Sequence, residues 1–332
     1  MPVEVKMFDD LDAVEADAAG ALDRPAQASI FDRLSWFRLI EKHCPPPGRL
    51  LILRARDDER PAWLFLAVDG ARATALTSWY SLGFGAIGAS ALLPALAKSL
   101  RRQGIAVAEL FPLADGDPLP AAFQAAGWLT KLAPASATWR IATDGLSFDD
   151  YWAGRSSRLR NTAARKTKAG KLDLAVYSRF DEAAWADYEA VYAASWKPEE
   201  GSTAFLRALA EQEGAAGTLR LGIASKDGAP IAAQLWLVEN AIATIHKLAY
   251  TEASKALSPG TILSVEMFRH ALDIDHVRSI DFGLGDDPYK ADWMEAKATV
   301  WRLRAFNPST PRGLFGYARA SASALVHRAR SG

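Results

Sequence analysis

Between residues 219 and 282 the sequence orders three strands, a helix and a further strand, an order that few folds share. Segments 219–225 and 231–238 are apolar and rich in strand formers, and Asp227-Gly228 between them is a hairpin signal. Segment 243–250 reads as a third strand. Residues 261–272 then switch to helical spacing, with Ile262, Val265, Phe268 and Leu272 on one face. Strands follow at 277–282 and 299–306, and helices precede at 181–195 and 203–213. Mostly antiparallel strands with helices on the sheet faces define an α+β class.

The first half runs loosely in the same order. Phe31, Leu34, Phe37, Leu39 and Ile40 give a helix over 31–43, closed by Pro45-Pro46-Pro47. Strands are expected at 50–54 and 63–68 around the polar turn Asp57-Asp58-Glu59-Arg60, and a third at 73–79. A helix at 91–102, a strand at 105–111, a short helix at 119–126 and a short strand at 138–141 complete it. A chain of 332 residues accommodates two domains of ordinary size. The expected division is 1–145 and 146–332.

Composition excludes several function classes. Lys+Arg and Asp+Glu both number 39, so a general basic coat for nucleic acid is absent, although a local basic patch is not. The single cysteine, Cys44, rules out a disulfide framework and any multi-cysteine metal site. Its flank, His43-Cys44-Pro45, reads as a helix end, and the thiol is expected to be inert. No segment approaches 18 apolar residues, and the acidic start of the chain lacks an apolar leader, so the expected location is cytoplasmic. Segment 314–330, with Arg319, His327, Arg328 and Arg330, is either a solvated terminal helix or one that touches an anionic membrane surface.

Four constellations carry chemistry. Gly83-Phe84-Gly85-Ala86-Ile87-Gly88 has the spacing of a dinucleotide fingerprint. The strand before it, Thr77-Ser78-Trp79-Tyr80-Ser81, is too polar for a central parallel strand, so a glycine-rich connection is the expected reading. Ser258-Pro259-Gly260-Thr261 combines an N-cap serine with proline at the first helical position. The N–H groups of Gly260, Thr261 and Ile262 would face a phosphate there, with Lys255 nearby. The segment from Asp281 to Trp293 is dense in proton-transfer groups: Asp281, Asp286, Asp287, Tyr289 and Lys290. It does not match a calcium loop, and no metal site is expected. Finally, 151–172 lacks acidic residues and holds Arg155, Arg158, Arg160, Arg165, Lys166, Lys168 and Lys171. Arg158, Arg165 and Lys168 share a helix face beside Asn161, which is either a solvated face or an anion dock. Among histidines, His246 lies in a strand next to the Ser258 loop, either as a satisfied strand residue or as a base.

The run 231–293 resembles the GNAT acyltransferase superfamily, in particular a bacterial branch associated with cellulose biosynthesis and akin to the Fem peptidoglycan-bridge aminoacyltransferases. The residues behind this are His246-Lys247-Leu248-Ala249-Tyr250, Leu257-Ser258-Pro259-Gly260-Thr261, and Asp281-Phe282-Gly283 with Pro288-Tyr289-Lys290 and Trp293. The basic run from Arg158 to Lys166 resembles the start of a second Fem-like domain. The resemblance implies tandem GNAT-like domains, the first degenerate and the second catalytic.

It also implies a site. The donor's pantetheine arm would lie between splayed strands, here 231–238 and 243–250, with Leu248 beside it. Its pyrophosphate would sit on Lys255, Ser258, Gly260, Thr261 and Ile262. Lysine and serine depart from the family's arginine or glutamine and first glycine. Asp281, Tyr289 and His246 are the implied proton-transfer residues, and Arg158, Arg165, Lys168 and Lys290 the implied anion contacts. The expected donor is acetyl-CoA or another acyl-CoA. The expected acceptor is an amine, such as an amino sugar of envelope or exopolysaccharide assembly, with peripheral contact to membrane-bound glycan precursors. Alternatives are a Fem-like aminoacyltransferase fed by aminoacyl-tRNA and a non-catalytic GNAT-like ligand-binding protein.

Overall fold

The computed structural model describes residues 3–58 and 60–331, with side chains through residue 322. The chain forms two compact units, Met1–Ser136 with Thr299–Gly332, and Ala137–Ala298.

The first unit opens with an edge strand and a helix that sequence spacing did not show, β1 (Glu4–Phe8) and α1 (Leu11–Ala18). Asp10 caps α1 by accepting from the Asp12 and Ala13 amides. Helix α2 (Leu34–His43) and strands β2 (Arg49–Arg56), β3 (Pro61–Asp69), β4 (Arg72–Ala75) and β5 (Ile87–Gly88) follow. Helix α3 (Leu93–Arg102), strand β6 (Val107–Leu113) and helix α4 (Leu119–Ala125) complete the segment. The chain leaves this unit within β7 (Leu129–Ala142).

The second unit contains α5 (Phe148–Ala153), α6 (Ser157–Gly170), β8 (Asp173–Tyr177), α7 (Glu182–Ala193) and α8 (Thr203–Ala215). Strands β9 (Leu219–Lys226), β10 (Ala229–Glu239) and β11 (Ile242–Tyr250) precede α9 (Pro259–Arg269) and β12 (Ser279–Leu284). Asp227 and Gly228 adopt φ of 51° and 78°, the left-handed pair that the tight β9–β10 hairpin requires. Strand β13 (Ala296–Phe306) and helix α10 (Pro311–Ser331) end the chain.

The expected division assigned 146–332 to one domain, but the chain returns to the first unit at Thr299. Leu303 to Phe306 pair antiparallel with β6. The buried Asn307 carboxamide donates to the Arg101 and Ile105 carbonyls at 3.1 and 2.9 Å. These partners lie 206 and 202 residues away in sequence, so no local signal announces the return. His327, Arg328 and Arg330 of the expected basic helix lie outside the described side chains.

Each unit has the same internal plan. In the first, β1, β2, β3 and β4 are antiparallel neighbours, β4 runs parallel to β6, and β6 is antiparallel to β13. In the second, β8, β9, β10 and β11 are antiparallel, β11 runs parallel to β12, and β12 is antiparallel to β7. The parallel contact is short in both. Arg72 to Thr74 pair with Val107 to Glu109, and Ile242 to Thr244 pair with Ser279 to Asp281. Beyond those residues the two strands of each pair part.

In the first unit the expected strand 73–79 stops at Ala75, and its continuation folds inward. Thr77 Oγ1 donates to the Phe111 carbonyl at 3.4 Å, and Tyr80, Ser81 and Phe84 are buried. The glycine-rich segment is therefore a structural connection. Gly88, at φ +100°, pairs with β3, and a Cβ there would stand 2.2 Å from the Pro61 carbonyl oxygen. Gly88→Ala must displace main chain and is expected to destabilise the protein by about 2–4 kcal/mol. A chemical denaturation curve checks this; a midpoint equal to wild type would show that β5 can move aside.

Candidate functional site

The parting of β11 from β12 in the second unit defines the candidate site. Strands 231–238 and 243–250 were the expected splayed pair, and the structure corrects this. They form a continuous antiparallel ladder from Ala232↔Tyr250 to Glu239↔Ile242, and the diverging partner of β11 is β12. Hairpin strands joined by the two residues Asn240-Ala241 stay paired; parallel strands joined through a helix are free to twist apart.

His246 occupies a bulge in that ladder, where Lys247 pairs with Leu235 and Ile245 with Trp236. The imidazole is buried, and desolvation, with a smaller contribution from Lys247, pushes its pKa down to about 3. Such a ring stays neutral but is too weak a base for an ammonium acceptor. The bulge also leaves Lys247 facing α7, with its ammonium 5.5 Å from the Tyr192 ring and 2.9 Å from Glu200. On the opposite face of the sheet, Gln234 donates to Ser264 Oγ of α9 at 2.8 Å, and Leu248 is half-buried.

Asp281 was the leading candidate base, but its geometry makes it a structural anchor. Oδ1 accepts from Thr138 Oγ1 and the Gly283 amide, both at 2.8 Å, and Oδ2 accepts from Arg140 Nε at 2.6 Å. These bonds hold the end of the short parallel ladder against β7. Lys290 is likewise not an anion contact. It is 3% exposed, and its ammonium donates to the carbonyls of Phe282, Leu284 and Gly285 at 3.2, 2.9 and 3.3 Å. All three N–H bonds are spent on closing the loop after β12.

Tyr289 remains at the opening. It is 43% exposed, and its ring meets Phe282 edge-on at 5.6 Å. Burial of its hydroxyl end, then Asp287 and Tyr250, raise the phenol above its usual range. It keeps its proton at neutral pH and can offer it in a hydrogen bond to a departing anion.

The expected phosphate seat is narrower than its sequence promised. Ser258 is left-handed, with φ 54° and ψ 46°, and its side chain makes no capping bond. Its carbonyl instead accepts from the Thr261 and Ile262 amides at 3.1 and 3.2 Å. Pro259 has no N–H, so Gly260 carries the donor still directed along the helix axis. Gly260 also lies against Tyr250, whose ring carbon would be 3.1 Å from an added Cβ. Lys255 is exposed, 3.3 Å from Glu252.

Arg158, Arg165 and Lys168 lie on α6 as expected and are exposed. Arg158 is tied to both Asp292 oxygens at 3.1 and 2.9 Å, and its side chain stays 80% exposed. Arg155 is buried and bonds the Trp293 carbonyl and Glu295.

The 194–202 connection between α7 and α8 was missed by sequence reasoning. It is pinned along the free end of β11. Ser195 bridges to Thr251, the Trp196 and Tyr250 rings are 4.1 Å apart, and Glu200 pairs with Lys247. Beneath it lies a cavity of about 410 Å³ whose walls include Trp185, Tyr188, Tyr192, Lys197, Glu200 and Leu206. Lys197 lines the cavity, and it interacts electrostatically with Asp287 and Lys290 of the loop after β12. Only a lysine and two glutamates beside a proline were visible in sequence, a pattern common to solvated turns.

Residues 153–291 match the family of acetyltransferase (GNAT) domains. The fold agrees with tandem GNAT structures. The tandem GNAT protein from the clavulanic acid biosynthesis pathway aligns with TM-score 0.51 at 14% identity, over 91% of this chain and 98% of that one. FemX aligns with TM-score 0.59 at 10% identity, over 91% and 97%. L-PGS from Bacillus licheniformis aligns with TM-score 0.53 at 12% identity, over 80% and 86%. No curated protein matches the sequence. The domain match over residues 153–291 and the fold agree on a GNAT-type acetyltransferase domain in the second unit. Among the described residues, no helix is long and apolar enough to cross a membrane.

Proposed function

We propose that the second unit transfers an acyl group, acetyl in the simplest case, from acyl-CoA to an amine. The observation that carries this is the β11–β12 ladder, which ends at Thr244 and Asp281 while β11 continues to Tyr250. A pantetheine arm carries two amide groups and can bond the released edge of β11 as an added strand does. The Gly260 amide at the head of α9, with Ser258 and Lys255 before it, stands where the donor's phosphates would arrive. Tyr289 would return a proton to the leaving thiolate.

The first unit has the same diverging pair, but its own 76–89 connection folds inward, and this supports a degenerate, non-catalytic role. The acceptor is an amine of the amino-sugar class in envelope or exopolysaccharide assembly. Contact with a membrane-bound precursor is consistent with α10, where Leu314 and Phe315 are 51% and 72% exposed beside Arg312 and Arg319.

The exposed basic residues of α6 favour one other reading, a Fem-like transferase taking aminoacyl-tRNA. Calorimetric titration with acetyl-CoA at two salt concentrations separates the two. A CoA donor gives saturable binding with a shallow salt dependence, whereas a donor touching many phosphates weakens steeply with salt. Absence of acetyl-CoA binding at millimolar concentration would overturn the acyl-CoA reading. Binding without turnover on any amine would favour a ligand-binding role.

A further inference from the structure

The α7–α8 connection carries one amine, that of Lys197, into the wall of the cavity beneath it. Three contacts fix it along β11: the Ser195–Thr251 bridge, the Trp196–Tyr250 ring contact and the Glu200–Lys247 pair, both of whose side chains are at most 10% exposed. The Lys197 amide donates to Ser195 Oγ at 3.3 Å, which sets the direction of the main chain at that residue. Lys197 lines the aromatic cavity, and Asp287 and Lys290 of the loop carrying Tyr289 lie within electrostatic reach of it. Resting on the acyl-CoA reading above, we propose that the cavity beneath this connection seats the amine acceptor and that Lys197 is the catalytic proton acceptor of the transfer.

The surroundings suit that task. The Trp185 and Tyr188 rings stack at 4.9 Å in the buried wall, and Tyr192, 6.1 Å beyond and partly exposed, is the ring of the row that a ligand ammonium can reach. Glu200, paired with Lys247, and the exposed Glu189 and Glu199 lend negative charge at the walls. The groups facing Lys197 are Lys247 from β11, Glu200 from its own connection, and Asp287 and Lys290 from the loop after β12. Desolvation first, then Lys247, lower its pKa to about 8, with Glu200 and Asp287 opposing. A substantial fraction is then neutral near physiological pH, as a base requires.

The step balances. The acceptor enters as an ammonium and gives one proton to the neutral Lys197 amine. The freed nitrogen attacks the thioester carbonyl, so a C–N bond forms and the C–S bond breaks. The thiolate takes a proton from Tyr289, and the second nitrogen proton returns to the Tyr289 phenolate through solvent, so the net products are amide, thiol and the one proton released through Lys197.

Competitive labelling with acetic anhydride, read by peptide mass spectrometry, tests the assignment without turnover. Lys197 is expected to label with a midpoint near pH 8, below the ordinary lysine range, and saturating acetyl-CoA should shield it at least 5-fold. A midpoint in the ordinary lysine range, or no shielding while acetyl-CoA binds by calorimetry, overturns the proposal. Glucosamine with acetyl-CoA supplies the kinetic arm. Lys197→Gln and Lys197→Arg should both lower kcat/KM by about 100-fold or more at pH 8, with donor affinity within 2-fold of wild type. Wild-type rates in either variant would overturn the assignment. Failure of acetyl-CoA to bind the wild-type protein would instead strike the acyl-CoA reading itself.

Discussion

Ser258→Glu is expected to lose acetyl-CoA binding. The residue before α9 is left-handed, and Gly260 supplies the free amide at the helix head. A carboxylate placed there meets the donor's pyrophosphate at a few ångströms. Like charges about 4 Å apart repel by roughly 1–4 kcal/mol, depending on local dielectric, and the diphosphate carries more than one. The expected loss of affinity is at least about 100-fold. The fold should survive, because an acidic residue at a helix N-terminus favours the helix. Ser258→Gly is the matched control. Glycine accepts the left-handed conformation without strain, so this variant should be at least as stable as wild type and bind the donor normally. Calorimetry on both variants checks the pair, and unchanged affinity in Ser258→Glu would remove the donor from this end of α9.

Lys290→Met is expected to destabilise the second unit without acting on any substrate contact. The ammonium satisfies three carbonyls within one loop, and Asp287 is 3.9 Å away. Methionine fills similar volume but leaves the three oxygens without their donor. Unsatisfied buried acceptors cost about 1–3 kcal/mol each, and partial relaxation limits the sum to roughly 3–5 kcal/mol. On the scale for domains of this size, Tm should fall by roughly 10 °C. Lys290→Arg should not rescue it, because a planar guanidinium cannot point three donors at one converging set of carbonyls. Thermal denaturation followed by circular dichroism checks both. A Tm within 2 °C of wild type would show that the loop holds itself, and that Lys290 is free for another task.

Much of the second unit was legible from local pattern. Strands 219–225 and 231–238, their Asp227-Gly228 turn and the start of α9 at Pro259 emerged close to their expected limits, because alternation, turn chemistry and N-terminal proline act within a few residues. The site was less legible. Asp281, Tyr289, Lys290 and His246 drew attention as polar groups near a strand end, and a polar group's task depends on what surrounds it. Asp281 is spent on Thr138, Arg140 and Gly283, and Lys290 on three carbonyls. His246 lies in a bulge, which alternation along one strand does not register. Lys197 escaped notice because the rings beside it come from α7 and most of the charges around it from β11 and the loop after β12.

The sequence by itself determined the α+β class, the β9–β10 hairpin, the start of α9 at Pro259 and the absence of a cysteine framework. Each follows from side-chain periodicity, turn propensity or composition, which are properties of neighbouring residues. Only the tertiary structure decided that residues 299–306 close the first unit, that β11 parts from β12 rather than from β10, and that a connection between two helices brings Lys197 to the opening. Those outcomes depend on pairing energies between segments far apart in the chain, and a strand's sequence states its preference for a partner without naming which one.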